Sequence, residues 1–205
     1  MWLTDPLEWQ YIYTLAKSLL PGLSFHRDEE AAELASRLGG LPIGKLREFD
    51  WTRPVIYMPP FKRIAEGTVV VAVEGRTAKK LAGLGVRPHV VVTDLDFEPD
   101  YIDIGLIAVV HAHGDNIDRL AEYARGLRIY TVQTPPRPNT YNVGGFTDGD
   151  RAIYLAIAMG AREIIVSGFY PEEPIKRNDE VKRRKLALAK ALIKRLSSRA
   201  LLNMI

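Results

Sequence analysis

Residues 68–96 read TVVVAV-EGRTAKKLAGLGVRPH-VVVTDLD. An apolar run at 69–73 is followed by helical spacing at 77–84 and a second, β-branched run at 90–93. Runs that are apolar at every position suit strands covered on both faces, and strand–helix–strand alternation builds parallel sheets. The pattern continues toward the C-terminus. Runs at 104–110, 129–132 and 163–166 alternate with helical segments at 116–125 and 149–159, and apolar residues 201–205 predict a last strand. The expected fold is therefore α/β, a mostly parallel doubly wound sheet with helices on both faces.

The N-terminal side reads differently. Asp5-Pro6 opens a helix in which Leu7, Tyr11, Thr14, Leu15 and Ser18 recur at helical spacing up to Pro21-Gly22. Asp28, Glu29 and Glu30 begin a second helix, ended by Gly39-Gly40. Residues 41–60, rich in Pro and aromatics, predict loop with a short strand at 55–58. The expected organisation is a small helical cap over 1–60 and an α/β domain over 61–205. Residues 39–45 match the spacing of a phosphate loop, G-x-x-x-x-G-K, but follow a helix, contain Pro42 and continue into Leu46. A phosphate loop would follow a strand and place Ser or Thr there, so that reading is rejected.

The 205 residues, 47% hydrophobic and 26% charged, fit one globular core and exclude collagen-like or disordered classes. With no Cys, disulfides and thiolate metal sites are excluded. The first residues carry no signal-peptide pattern, and the apolar runs fall far short of the ~20 residues of a membrane span. A soluble, cytoplasmic protein without a membrane partner is expected.

Doubly wound sheets bind ligands at the carboxyl ends of their strands. Those positions hold Glu74-Gly75, Thr93-Asp94-Leu95-Asp96, His111-Ala112-His113-Gly114-Asp115-Asn116, Gln133-Thr134 and Ser167-Gly168. A further loop, residues 142–150, reads NVGGFTDGD. Clustered carboxylates raise one another's pKa unless a cation sits between them, and all-oxygen ligand sets favour Mg²⁺. Asp115, Thr147 and Asp148 stand equally where helix N-caps belong. No clear helix follows Asp94 and Asp96, which makes them the stronger metal candidates. The Gly144-Gly145 pair, ahead of a helix, leaves amides available to an anion. A three-His zinc site on His111-x-His113-x-Asp115 lacks ligands, since only His26 and His89 remain elsewhere.

The net charge of +3 averages two unlike parts. Residues 176–199 hold ten Lys or Arg against Asp179 and Glu180, a net +8 that leaves −5 for the remainder. Most of these cations read as a solvated helix face. Lys185 falls inside the stripe of Val181, Leu188, Leu192 and Leu196. There it either snorkels or meets phosphate, and the acidic strand ends favour phosphate. The segment lacks interleaved aromatics and the acidic remainder would repel a nucleic-acid backbone, so no nucleic-acid partner is expected.

VTDLD at 92–96, HAHGDN at 111–116, GGFTDGDR at 144–151 and Lys182-x-x-Lys185-Leu186 together resemble the archaeal 6-hydroxymethyl-7,8-dihydropterin pyrophosphokinases, the MptE-like family, relatives of thiamin pyrophosphokinase. The resemblance covers residues 68–205. It implies Mg²⁺-dependent transfer of diphosphate from ATP to the hydroxymethyl group of a reduced pterin, releasing AMP. It further implies Asp94, Asp96 and Asp115 as Mg²⁺ ligands with Asp148 as a further candidate. Gly144, Gly145 and Thr147 would hold phosphate, Lys185 would offset its charge, and Asn116 and Gln133 would contact nucleotide or pterin. The chain departs from the family pattern in three places: Glu74 replaces Asp, Phe97 replaces Gly, and Gly168-Phe169-Tyr170 replaces Gly-Met-Asp. A homo-oligomer is compatible with this reading, and a diphosphokinase acting on thiamin or another alcohol is its nearest rival.

Overall fold

The computed structural model describes residues 1–169 and 180–205. Among these, one sheet holds β1 (Val55–Tyr57), β2 (Val70–Val73), β3 (Val90–Thr93), β4 (Ile107–Ala112), β5 (Arg128–Val132), β6 (Thr140–Tyr141), β7 (Glu163–Ser167) and β8 (Leu201–Met204). The spatial order is β6-β5-β4-β3-β2-β1-β7-β8, and every pairing is parallel. The helices are α1 (Pro6–Leu19), α2 (Phe25–Leu38), α3 (Gly75–Gly83), α4 (Ile117–Glu122), α5 (Asp148–Ala158) and α6 (Glu180–Leu196).

Alternate residues of each strand serve opposite layers, as the pleat dictates. Ile56, Val71, Val92 and Val109 pack with α1, α5 and α6 through Ile12, Ala16, Ile153, Leu188 and Leu192. Val55, Tyr57, Val91 and Val110 pack with α2, α3 and α4 through Ala31, Ala35, Leu81 and Leu120. The sheet is thus parallel and wound on both faces, as its apolar runs predict. It also reaches back across residue 60, because β1 lies between β2 and β7, and α1 and α2 cover opposite faces of it. From β1 the strands step outward to β6, and α5 then leads back to β7 on the other side of β1. Such a reversal of direction opens a crevice at the carboxyl ends.

Several elements differ from the sequence reading. On α1 the expected stripe is displaced: Leu7 and Tyr11 are 74% and 52% exposed, whereas Glu8, Ile12 and Ala16 are buried. Glu8 can sit inside because Tyr154 Oη donates to it at 3.1 Å and Arg195 and Arg199 neutralise it. α2 begins at Phe25 instead of Asp28, with the Ser24 hydroxyl as its cap. The strand expected at 104–110 starts at Ile107, since Pro99–Ile104 forms a 3₁₀ turn, and runs on through His111-Ala112. The two-residue β6 is too short to leave a pattern. On α6, Leu188, Leu192 and Leu196 are buried as expected, but Val181 is 56% exposed. Tyr170, Lys176, Arg177 and Asp179 lie outside the described residues. No helix among the described residues is long and apolar enough to cross a membrane.

Candidate active site

A cleft of about 1390 Å³ runs along the carboxyl ends of β1 to β5 and β7. Its floor carries Glu74, Asp94, His111, His113 and Gln133, with Thr147 and Asp148 at the start of α5. Lys182, Lys185 and Leu186 of α6 close one side, and residues 19–24 with Arg27 and Asp28 close another.

The carboxylates do not group as sequence proximity suggests. The Asp94 backbone N–H donates to Asp148 Oδ2 at 2.9 Å, which brings the β3 loop to the start of α5. Asp148 Oδ1 is buried with no hydrogen-bond partner among the described residues. Burial, then the charges of Asp94 and Glu74, hold Asp148 well above the usual carboxylate range. Burial likewise raises Asp94, aided by Asp96 and opposed by His113 and Lys185. Glu74 is pushed up to about 7, chiefly by burial, against the pull of Arg76 beside it. Glu74, Asp94 and Asp148, on separate elements, thus repel one another across the cleft floor. Asp96 instead turns outward to Arg119 Nη1 at 2.9 Å. The Asp115 side chain is 83% exposed and stands 3.9 Å from His113 Nδ1. Asp94, Asp96 and Asp115 all line the cleft, but among the described residues their side chains do not gather into one ligand cluster. Leu95, at φ +72°, breaks the extended backbone between Asp94 and Asp96, while the fold brings Asp148 to the Asp94 backbone.

Among the described residues no three His, Asp or Glu side chains stand gathered as a metal cluster. Mg²⁺, however, is commonly held by one or two carboxylates together with water and substrate phosphates. Asp94 and Asp148, with an unpartnered buried oxygen between like charges, fit that smaller demand.

Other expected phosphate ligands have internal partners. The Gly144 N–H donates to Asn142 Oδ1 at 3.0 Å. The N–H groups of Phe146 and Thr147 donate to Asp150 Oδ1 at 2.6 and 3.0 Å. The Phe146 and Thr147 amides thus cap α5, the Gly144 amide is taken up by Asn142, and neither Gly144 nor Gly145 lines the cleft. Asn116, 1% exposed, ties two loops: its Nδ2 donates to Asp94 O and His111 O at 2.6 and 2.7 Å, and its Oδ1 accepts from His113 N. Thr147 does line the cleft, although its hydroxyl donates to Asp150 Oδ2 at 3.1 Å. Lys185 is half-buried, faces Asp94 and His113 electrostatically, and lines the cleft.

Behind this floor sits a buried network that sequence reading missed. The Arg151 guanidinium, 1% exposed, donates to Gly144 O at 3.0 Å and to His111 Nε2 at 3.1 Å. An arginine donates only and the Thr131 carbonyl, 3.2 Å from His111 Nδ1, accepts only. Those two neighbours suit a proton on Nδ1, whereas Gln133 Oε1, 3.1 Å from Nε2, suits one on Nε2, and the ring is neutral in either arrangement. Burial, reinforced by Arg151, holds its pKa well below the ordinary value. His111 stacks on His113 at 5.2 Å. The signal for Arg151 was its place at the end of the GGFTDGDR run.

The family model described as 6-hydroxymethylpterin diphosphokinase MptE-like matches residues 58–169. Three archaeal relatives are each named 6-hydroxymethyl-7,8-dihydropterin pyrophosphokinase. The Pyrococcus furiosus protein is 47% identical over 108 residues, 51% of this chain and 46% of the relative. The Methanothermobacter thermautotrophicus protein is 37% identical over 155 residues, covering 67% of this chain and 66% of the relative. The Methanocaldococcus jannaschii protein is 32% identical over 178 residues, covering 76% and 67%. The chain thus spans from about half to two thirds of the length of these relatives.

Proposed function

Because the chain belongs to the MptE-like 6-hydroxymethylpterin diphosphokinase family, we propose that it transfers diphosphate from ATP to the hydroxymethyl group of 6-hydroxymethyl-7,8-dihydropterin, with Mg²⁺, and releases AMP. The observation that carries the proposal is the Asp94–Asp148 pair at the floor of a large cleft, with one buried unpartnered carboxylate oxygen and Lys185 lining the same cleft. Two acids repelling each other in a dry site match a reaction whose substrate arrives with a cation. Thiamin and other alcohols remain competing acceptors that the assay below separates.

In this reaction the pterin hydroxyl oxygen attacks the β-phosphorus of ATP, the bond from that phosphorus to the α-phosphate oxygen breaks, and the hydroxyl proton is released. Phosphoryl transfer depends mainly on positioning and charge neutralisation. Asp94 and Asp148 would hold Mg²⁺, which when bound draws off charge from the phosphate oxygens. Lys185 would place its ammonium against the same oxygens from α6. The His111–Arg151 network keeps His113 and Gln133 seated at the floor. Asn116 fixes the β3 and β4 loops against each other, so its role is to hold the site in shape. ATP, a reduced pterin and no nucleic acid are the proposed partners. The family's position for Asp, here Tyr170, lies outside the described residues, whereas the neighbouring Phe169 lines the cleft.

The test is AMP formation from ATP, followed with 6-hydroxymethyl-7,8-dihydropterin, with thiamin and without acceptor, each with Mg²⁺ or with EDTA. AMP is expected only with the pterin and Mg²⁺ together. AMP formed with thiamin alone would transfer the activity to another acceptor, and none with any acceptor would remove it.

A further inference from the structure

Both N-terminal helices reach into the cleft floor from outside residues 58–169, the stretch that matches the family. Asp28, on α2, is 2% exposed. Its Oδ1 accepts the Gly114 backbone N–H at 2.9 Å, and its Oδ2 accepts the Tyr13 hydroxyl at 3.0 Å. Gly114 allows that approach: a Cβ there would stand 2.6 Å from Arg27 Cβ. From α1, Trp9 Nε1 donates to the Gln133 carbonyl at 3.0 Å. The ends of β4 and β5 are thus fastened by side chains that the matched stretch does not contain. Nothing else among the described residues accepts the buried Gly114 N–H, and a buried donor without a partner is strongly disfavoured. The segment it anchors, residues 113–116, sets His113 Nε2 3.9 Å from Asp94 Oδ2.

We infer that Asp28 is a positioning residue for the transfer reaction: its carboxylate clamps the 113–116 loop through the Gly114 amide and so sets His113 against Asp94. The inference rests on the proposed activity, but the clamp itself is measurable without turnover. The experiment uses the full chain as wild type, Asp28→Ala and Asp28→Asn. The Asn variant retains a carbonyl oxygen for Gly114, while Ala retains none. Readouts are kcat and KM for AMP formation and the exchange rate of the Gly114 amide by NMR, with circular dichroism to confirm the fold. Asp28→Ala is expected to lower kcat at least tenfold, leave KM for ATP within threefold, and speed Gly114 exchange at least tenfold. Asp28→Asn is expected to keep kcat within threefold and Gly114 exchange slow. A folded Asp28→Ala with wild-type kcat overturns the inference, as does a folded Asp28→Asn that loses kcat tenfold. Should the Ala variant not fold, the Asn variant decides by the same limits. If the wild type forms no AMP with any acceptor, the proposed activity fails separately. Unchanged Gly114 exchange in Asp28→Ala would then still overturn the clamp.

Discussion

Replacing Asp148 by Asn should make the protein more stable and less active in the same step. At pH 7, protonating an ordinary aspartate takes roughly 4 kcal/mol, the ceiling on what burial beside Asp94 and Glu74 can impose. Asparagine removes the charge and keeps an oxygen for the Asp94 N–H. Its amide nitrogen, however, falls where Asp148 Oδ1 has no partner among the described residues, an offset of about 1–3 kcal/mol. A net gain of at most about 1–3 kcal/mol remains. With a urea m-value of about 2 kcal/mol/M, the unfolding midpoint rises by up to roughly 0.5–1.5 M. The sign of the pH dependence follows from the raised pKa. The folded state holds a proton that the unfolded state has lost, so wild-type stability falls as pH rises from the ordinary aspartate range toward the elevated value. The variant lacks that part of the slope. Urea titrations followed by tryptophan fluorescence at pH 5 and pH 7.5, with and without Mg²⁺, measure both effects. Mg²⁺ should stabilise the wild type and not the variant, and kcat of the variant should fall at least ~100-fold. An unchanged or lowered midpoint with the wild-type pH slope would refute the like-charge argument.

Two other substitutions test separate parts of the site. Lys185→Met should lower kcat by about 100-fold, since it removes a cation from the phosphate side of the cleft. The midpoint of thermal unfolding should hardly move, and AMP release alongside differential scanning fluorimetry checks both. Gly145→Ala should destabilise by about 2–4 kcal/mol and lower the melting temperature by roughly 5–15 °C. Gly145 has φ +74°, and a Cβ there would meet Arg151 Cα at 2.7 Å; calorimetry measures the loss.

The sheet was legible in the sequence because buried parallel strands leave continuous apolar runs, and β3 matches residue for residue. β4 was misplaced because His111 looks like a loop residue, and only the distant Thr131, Gln133 and Arg151 make its burial tolerable. Glu8 misled the reading of α1 for the same reason: its partners lie beyond residue 150. At the site, each acid was visible but their pairing was not. Asp96 stands two residues from Asp94 yet turns its carboxylate to Arg119, whereas Asp148 is 54 residues away and within hydrogen-bond reach of the Asp94 backbone. What the sequence did not reveal around Gly144-Gly145 is that Asn142 and Asp150, both inside the same run, take up the amides of Gly144, Phe146 and Thr147. Lys185 was found by its position in an apolar stripe, which requires only helical geometry.

The place of β1 has a kinetic consequence. Three residues, Val55–Tyr57, join the five strands on one side to the two on the other. β7 finds its neighbour about 110 residues back in the chain, a pairing that carries a large loop-closure entropy and forms slowly. While it is unformed, β1 and β7 each present an open edge with apolar side chains, the usual start of aggregation. A chain beginning at residue 58 would retain the family-matched stretch and lose the strand that joins the sheet's two sides. Refolding speed and yield are therefore governed by a three-residue segment that takes no part in the chemistry.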